Sequence, residues 1–227
     1  MRKVTHYDFP SDKLSRPVKL AIVSDLHNEP FEDILPHLEG CEALLVPGDV
    51  ANRYTRKYSR GVDFLKEAAK LLPTFYSVGN HELRLPDFQA FVKDAEKTGA
   101  ELLINRFVSF GELTIGGWYL PGENFPVQDM LDDFEKQPGF RLLMCHKPHH
   151  AAQYLLDRDA DLIVSGHAHG GQIQLFGQGL YAPGQGLLPK YTRGLYHSKL
   201  LVTAGVGNPC YMPRWFNPRE IIHLTLG

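Results

Sequence analysis

The stretch 161-DLIVSGHAHG-170 joins an apolar run of strand length to a glycine and then to two histidines one residue apart. A buried strand can stop at any turn sequence, so the paired imidazoles need an explanation of their own. In extended chain, residues two apart project from the same face, whereas on a helix they do not. His167 and His169 can therefore address one site from a strand-end loop, and Gly166 lets the backbone turn sharply in front of them.

The same design recurs along the chain. VKLAIVS (18–24) leads to Asp25 and His27; ALLVP (43–47) leads to Gly48-Asp49; TFYSV (74–78) leads to Gly79-Asn80-His81-Glu82; RLLMC (141–145) leads to His146. Five apolar runs thus each end in a metal-capable side chain, and KLLVTAG (199–205) adds a sixth run. Continuous rather than alternating apolar runs indicate sheets covered on both faces. Helical patterns fall between them, over 31–38, 59–72, 86–99 and 148–159. Pro36 is expected to end or kink the first, Pro86 and Pro148 to occupy first-turn positions, and Gly99 to mark a stop. Strand and helix in alternation predict α/β layering, in which the carboxyl ends of strands line the ligand crevice. FVSFGELTIGGW (107–118) predicts a hairpin about Gly111-Glu112. Residues 166–186, dense in glycine, predict a long irregular surface loop of the kind that carries function.

Composition bounds the class. The 227 residues can bury a sizeable core and are expected to form one domain over 1–227. Apolar residues at 43% and charged residues at 22% fit a globular chain. A net charge of −2 steers it toward neither nucleic acid nor anionic membrane as a whole, so no nucleic-acid partner is expected. Cys41, Cys145 and Cys210 are far apart without a CxxC pair, which fits small buried thiols in a reducing compartment. The amino-terminal stretch has no apolar signal core, and no window approaches the ~18 apolar residues of a membrane span. A cytoplasmic protein without a membrane anchor is the expectation.

Asp25, Asp49, Asn80, His27, His146, His167 and His169 are too many donors for one tetrahedral zinc and suit two ions sharing a bridge. The mixed imidazole and oxygen set fits Mn, Fe or Zn better than Ca or Mg. Two divalent ions bring four positive charges against three from two carboxylates and a bridging hydroxide, and the residual positive charge attracts a phosphoryl oxygen. An aspartate at position 80 would cancel that attraction, so a neutral amide is reasonable there. Taken singly, an Asp after a strand reads as a helix cap and a His as an ordinary core or surface residue. The argument lies in five such clusters at successive strand ends. His149 and His150, behind Pro148, read as the opening of a helix. RYTRKYSR (53–60) reads as a solvated helix start, or as a receptor for a phosphate or nucleotide. Arg193 and Arg214 could reach the cleft, while His6, His37, His197 and His223 read as ordinary residues.

At these residues the chain resembles the calcineurin-like metallophosphoesterase superfamily, whose signature runs D-x-H, GD, GNH[DE], a lone H and GHxH. Here they stand as DLH (25–27), GD (48–49), GNHE (79–82), His146 and GHAH (166–169). The resemblance implies a four-layer α-β-β-α sandwich of two packed mixed sheets flanked by helices. It also implies that Asp25, His27 and His169 hold one metal, that Asn80, His146 and His167 hold the second, and that Asp49 bridges both. His81, beside Asn80, would contact the substrate phosphate or protonate the leaving oxygen. The stretch from GHAHGGQIQLF to FNPREIIHLTLG is similar to a bacterial branch that includes phosphodiesterases and lipid-nucleotide pyrophosphatases. Two departures stand out. Members of that branch often begin with a membrane anchor or twin-arginine signal, absent here, which argues against a lipid substrate. Asn52 stands where many relatives carry Asp three residues after the GD aspartate.

The expected activity is a phosphodiesterase with two divalent ions, manganese foremost, hydrolysing a small-molecule phosphate ester by in-line attack of a metal-bridging hydroxide. A phosphomonoesterase, a pyrophosphatase acting on a nucleotide or lipid-nucleotide, and a non-catalytic metal-binding module are the alternatives.

Overall fold

In strand β2 (Val18–Ile22), Leu20 and Ile22 face one apolar layer, while Ala21 and the following Val23 face another. That period of two, repeated in neighbouring strands, builds the molecule. The computed structural model describes residues 2–55, 57–120, 130–208 and 212–227. One six-stranded sheet runs β1 (Arg2–Phe9), β16 (Arg219–Leu226), β2, β3 (Ala43–Pro47), β4 (Thr74–Ser77), β5 (Glu101–Leu102). The other runs β14 (Gly194–Tyr196), β15 (Leu200–Val202), β9 (Leu162–Ser165), β8 (Phe140–Met144), β7 (Leu113–Gly117), β6 (Arg106–Phe110). Both are mixed: β2, β3, β4 and β5 are parallel, as are β7, β8, β9 and β15, with antiparallel pairs β16–β2, β6–β7 and β14–β15.

Between the sheets, Leu20, Ile22, Leu45 and Phe75 of the first meet Ile115, Leu142, Met144 and Val164 of the second. The outer face of the first sheet, with Ala21, Leu44, Val46 and Tyr76, is covered by Phe64 and Leu65 of α1 (Ser59–Leu71) and Phe91 of α2 (Phe88–Glu96). The outer face of the second, with Leu143, Ile163 and Val202, is covered by Phe134 of α3 (Leu131–Phe134) and Ala151 of α4 (Pro148–Tyr154). The layers are therefore α-β-β-α, as expected, and the unbroken apolar runs reflect strands buried on both faces.

The six expected strands and the hairpin at Gly111-Glu112 are present, the latter pairing Phe110 with Leu113. Three local expectations are corrected. Residues 31–38 form only a short 3-10 turn, Leu35–Leu38, and Pro36 opens that turn rather than ending a helix, since its missing N–H costs nothing there. Pro86 lies ahead of α2, whose cap is Asp87, the carboxylate of which accepts the Ala90 N–H at 2.9 Å. The 166–186 segment is only partly irregular and only partly at the surface: β10 (Gln174–Leu175) pairs with β11 (Gln178–Gly179), β12 (Tyr181–Ala182) with β13 (Gly186–Leu187), and residues 166–172 are buried. The terminal strands β1 and β16 carried no such expectation, because polar residues interrupt both. Cys41 and Cys145 are free thiols, and burial pushes that of Cys145 up to about 12; Cys210 lies outside the described residues. Among the described residues, no helix is long and apolar enough to cross a membrane.

Candidate metal centre

The carboxyl ends of β2, β3 and β4 in one sheet meet those of β8 and β9 in the other, and the candidate residues follow these five ends directly. Asp25, His27, Asp49, Asn80, His81, His146, His167 and His169 are all buried. The loop after β2 continues alongside the loop after β3: the amides of Asp25, His27 and Asn28 donate to the carbonyls of Gly48, Asp49 and Val50 at 3.1, 3.0 and 2.8 Å. The His167 amide donates to both carboxylate oxygens of Asp25 at 3.0 Å, which ties the second sheet to the first. Close approach requires glycine here. A Cβ on Gly79 would lie 2.1 Å from Asp49 Oδ1, and one on Gly166 2.1 Å from Ser24 Oγ.

Asp25, His27, Asp49, His167 and His169 all have positive φ, between 47° and 69°. Such backbone costs on the order of 1–3 kcal/mol per non-glycine residue and persists where surrounding structure enforces it, most often at functional sites. The strain serves to aim donors at common points. Among the described residues, three groups have mutually close donor atoms: Asp25, His27 and His169; His27, Asp49 and His81; Asp49, His146 and His167. The Nε2 atoms of His27 and His169 are 3.2 Å apart, as are His167 Nδ1 and His146 Nε2. Asp49 Oδ2 lies 3.0 Å from His146 Nε2 and 3.9 Å from His27 Nε2, between two of the groups.

Protonation follows from burial and these neighbours. Burial opposes charge on Asp25 and Asp49, yet the surrounding imidazoles outweigh it and hold both carboxyls below the usual carboxylate range. Burial pushes His169 down to about 3 and His81 to about 4, and lowers His167. His146 goes the other way: burial alone would lower it, but Asp49 pushes it up to about 9. Its Nδ1 donates to the Pro47 carbonyl at 2.8 Å, leaving Nε2 to face Asp49. His81 Nδ1 accepts the Arg53 amide at 3.2 Å, so the neutral ring carries its proton on Nε2. Asn80 Oδ1 is buried without a hydrogen-bond partner among the described residues. Crowded nitrogen lone pairs, two ionised carboxylates and an orphan amide oxygen form a donor set that divalent cations fit.

Glu82, to which no role had been given, proves to be the brace. Fully buried, its carboxylate accepts the amides of Asp49 and Gly79 on Oε2, at 3.0 and 2.7 Å, and that of Ala51 on Oε1, at 2.7 Å. It clamps the loops after β3 and β4 together, and burial followed by repulsion from Asp49 pushes it up to about 7. The acid closing GNHE was the sequence signal for it. Asn52 does not support the donors; its Oδ1 accepts the Tyr54 amide at 3.0 Å and shapes the turn that follows.

A cavity of ≈ 440 Å³ opens beside the donors, lined by Asp49, Asn80, His81, His167 and His169 and also by Arg53, Tyr54, Arg84, Lys147, His149 and Tyr181. From the 53–60 stretch, Arg53 and Tyr54 thus face the cavity, while α1 starts only at Ser59; Arg56 lies outside the described residues. His149 opens α4 as expected, yet it also lines the cavity, packed against Gly184. Arg193 and Arg214 do not line it. Arg193 pairs with Glu220, and Arg214 donates to the carbonyls of Ala204, Gly205 and Gly207.

The profile of the calcineurin-like phosphoesterase family matches residues 18–171. A protein of Campylobacter jejuni described as an uncharacterized metallophosphoesterase is 27% identical over 99% of this chain and 63% of its own length. One of Helicobacter pylori with the same description is 25% identical over 95% of this chain and 61% of its own length. The chain thus spans about three fifths of the length of these relatives. Among solved structures, TT1561 of Thermus thermophilus covers 66% of this chain and 82% of its own, with a TM-score of 0.47 and 14% identity.

Proposed function

The chain belongs to the calcineurin-like phosphoesterase family, and from that premise we propose that it is a metal-dependent phosphohydrolase acting on phosphodiesters. The observation that carries this reading is the convergence of three overlapping donor groups, with Asp49 shared between two of them, on the wall of a cavity large enough for a small-molecule ester. Asp25, His27 and His169 would hold one divalent ion and Asn80, His146 and His167 the other, with Asp49 common to both. Bound there, such ions supply Lewis acidity that activates water and offsets charge on the phosphoryl oxygens.

The protein's own groups do the rest. Arg53, Arg84 and Lys147 make the cavity lining cationic, and among the described residues none of the three is engaged in an ion pair. Lys147 is lowered first by burial and then by its neighbour Arg84, against the opposing pull of Asp49. His81, neutral near pH 7 with its proton on Nε2, is placed to donate a hydrogen bond to a phosphoryl oxygen rather than to surrender a proton to the leaving group. Glu82 fixes the relative position of Asp49 and the loop carrying Asn80 and His81.

The test is turnover of bis-nitrophenyl phosphate against nitrophenyl phosphate after chelation and reloading with manganese. Faster diester hydrolysis is expected. Hydrolysis of the monoester alone would make the protein a phosphomonoesterase, and metal binding with no turnover of either would make it a binding module.

A further inference from the structure

The chain has 26 acidic residues, yet none lies between Asp161 and Glu220. Within that stretch three turns each hold a large apolar side chain out in solvent on left-handed backbone: Phe176 (φ 51°), Leu188 (φ 49°) and Phe216 (φ 55°). Their exposures are 107%, 67% and 80%. Leu175, Leu187 and Trp215 beside them are exposed as well. Left-handed backbone is unfavourable for such residues, so the tips are held where they are by what lies beneath.

Hydrogen bonds join the three tips into one platform. The Gln174 amide donates to the Trp215 carbonyl at 3.0 Å, Gln178 Nε2 donates to the Pro189 carbonyl at 3.0 Å, and the Leu188 amide donates to the Leu180 carbonyl at 3.0 Å. Asn217 Nδ2, beside Phe216, donates to the carbonyls of His169 and Gln172 at 2.7 and 3.0 Å and so fastens the platform to the candidate metal centre. Tyr181 and Met212, from the same segments, line the cavity that Arg53, Arg84 and Lys147 also line. Segments of the apolar platform, themselves free of acidic residues, and three cationic side chains therefore line one cavity.

We propose that this platform seats the protein on a lipid surface carrying negative charge. Phe176, Leu188 and Phe216 enter the boundary between headgroups and acyl chains, Trp215 lies at headgroup level, and exposed Lys190 meets the phosphates. Single side chains projecting from separate turns suit a fluid medium better than a shaped protein partner. The protein would lie on the membrane rather than span it. Seating does not depend on the phosphoesterase reading; the corollary that the cavity receives phosphate esters of amphipathic molecules rests on it.

The experiment is flotation of the full chain with vesicles of phosphatidylcholine alone or mixed in equal parts with phosphatidylglycerol. Wild type should float with the mixed vesicles and far less with the neutral ones. The triple variant Phe176→Asn, Leu188→Asn, Phe216→Asn should lose more than tenfold in partitioning. Asparagine accepts left-handed backbone, so this variant should keep its melting temperature and its turnover of a water-soluble nitrophenyl ester. The inference is overturned by wild type remaining unbound, by equal binding to both vesicle types, or by undiminished binding of the variant. It is equally overturned if the variant instead abolishes self-association of a chain that ignores lipid. Flotation without ester turnover would sustain the seating and remove the catalytic reading.

Discussion

The Nε2 atoms of His27 and His169, 142 positions apart in the chain, lie 3.2 Å from each other beside the carboxylate of Asp25. Two buried imidazoles so close gain most when a cation sits between their lone pairs. Manganese should therefore raise the melting temperature of the chelated protein, by an amount corresponding to about 2.7 kcal/mol at a hundredfold excess over the dissociation constant. His27→Ala should leave the metal-free melting temperature nearly unchanged and shrink the manganese-induced rise. Thermal melts of both proteins with and without manganese decide this; an undiminished rise in the variant would remove His27 from the site.

His146 makes metal loading a proton-releasing event. Burial opposes its charge, but Asp49 pushes it up to about 9, above its ordinary 6.5. A group raised on folding stabilises the metal-free fold fully below pH 6.5, and that contribution is lost as pH rises through about 9. A cation taking Nε2 must displace the proton. Apparent affinity should thus increase with pH by about tenfold per unit up to that value. Calorimetry in two buffers of different protonation enthalpy counts the proton; heats that do not depend on the buffer refute the assignment.

His81 offers a sharp distinction between two roles. Burial pushes it down to about 4, and the Arg53 amide occupies Nδ1. A neutral hydrogen-bond donor stabilises the phosphoryl group whatever leaves, so His81→Ala should slow alkyl and nitrophenyl esters alike, by about a hundredfold. A general acid would matter far more for alkyl esters. Rates on a matched pair of diesters separate the two, and a loss confined to the alkyl ester would assign His81 to proton transfer.

Glu82→Gln tests the brace. The amide oxygen of glutamine can take over the Asp49 and Gly79 donors, but its NH₂ group would face the Ala51 N–H, donor against donor. The expected cost is about 1–3 kcal/mol of stability, with metal affinity falling about tenfold or more as the loops loosen. Denaturant melts and metal titrations measure both. Unchanged affinity would reduce Glu82 to a core residue.

The strands and the convergence of the candidate donors were legible because both are written locally. Six apolar runs from 18–23 to 199–205 could be little other than buried strands, and a polar cluster at a strand's carboxyl end can point only into the space beyond it. The hairpin at Gly111-Glu112 was equally local. By contrast, β16 entering between β1 and β2, Glu82 collecting three amides from two loops, and Arg53 turning into the cavity each depend on pairs of residues brought together by layers packing. So do the opposite shifts of His81 and His146, since each reflects a balance of burial against one carboxylate. Period and turn chemistry are properties of neighbours in the chain, whereas burial, ring orientation and the joining of distant tips such as Phe176 and Phe216 arise when the sheets close on each other.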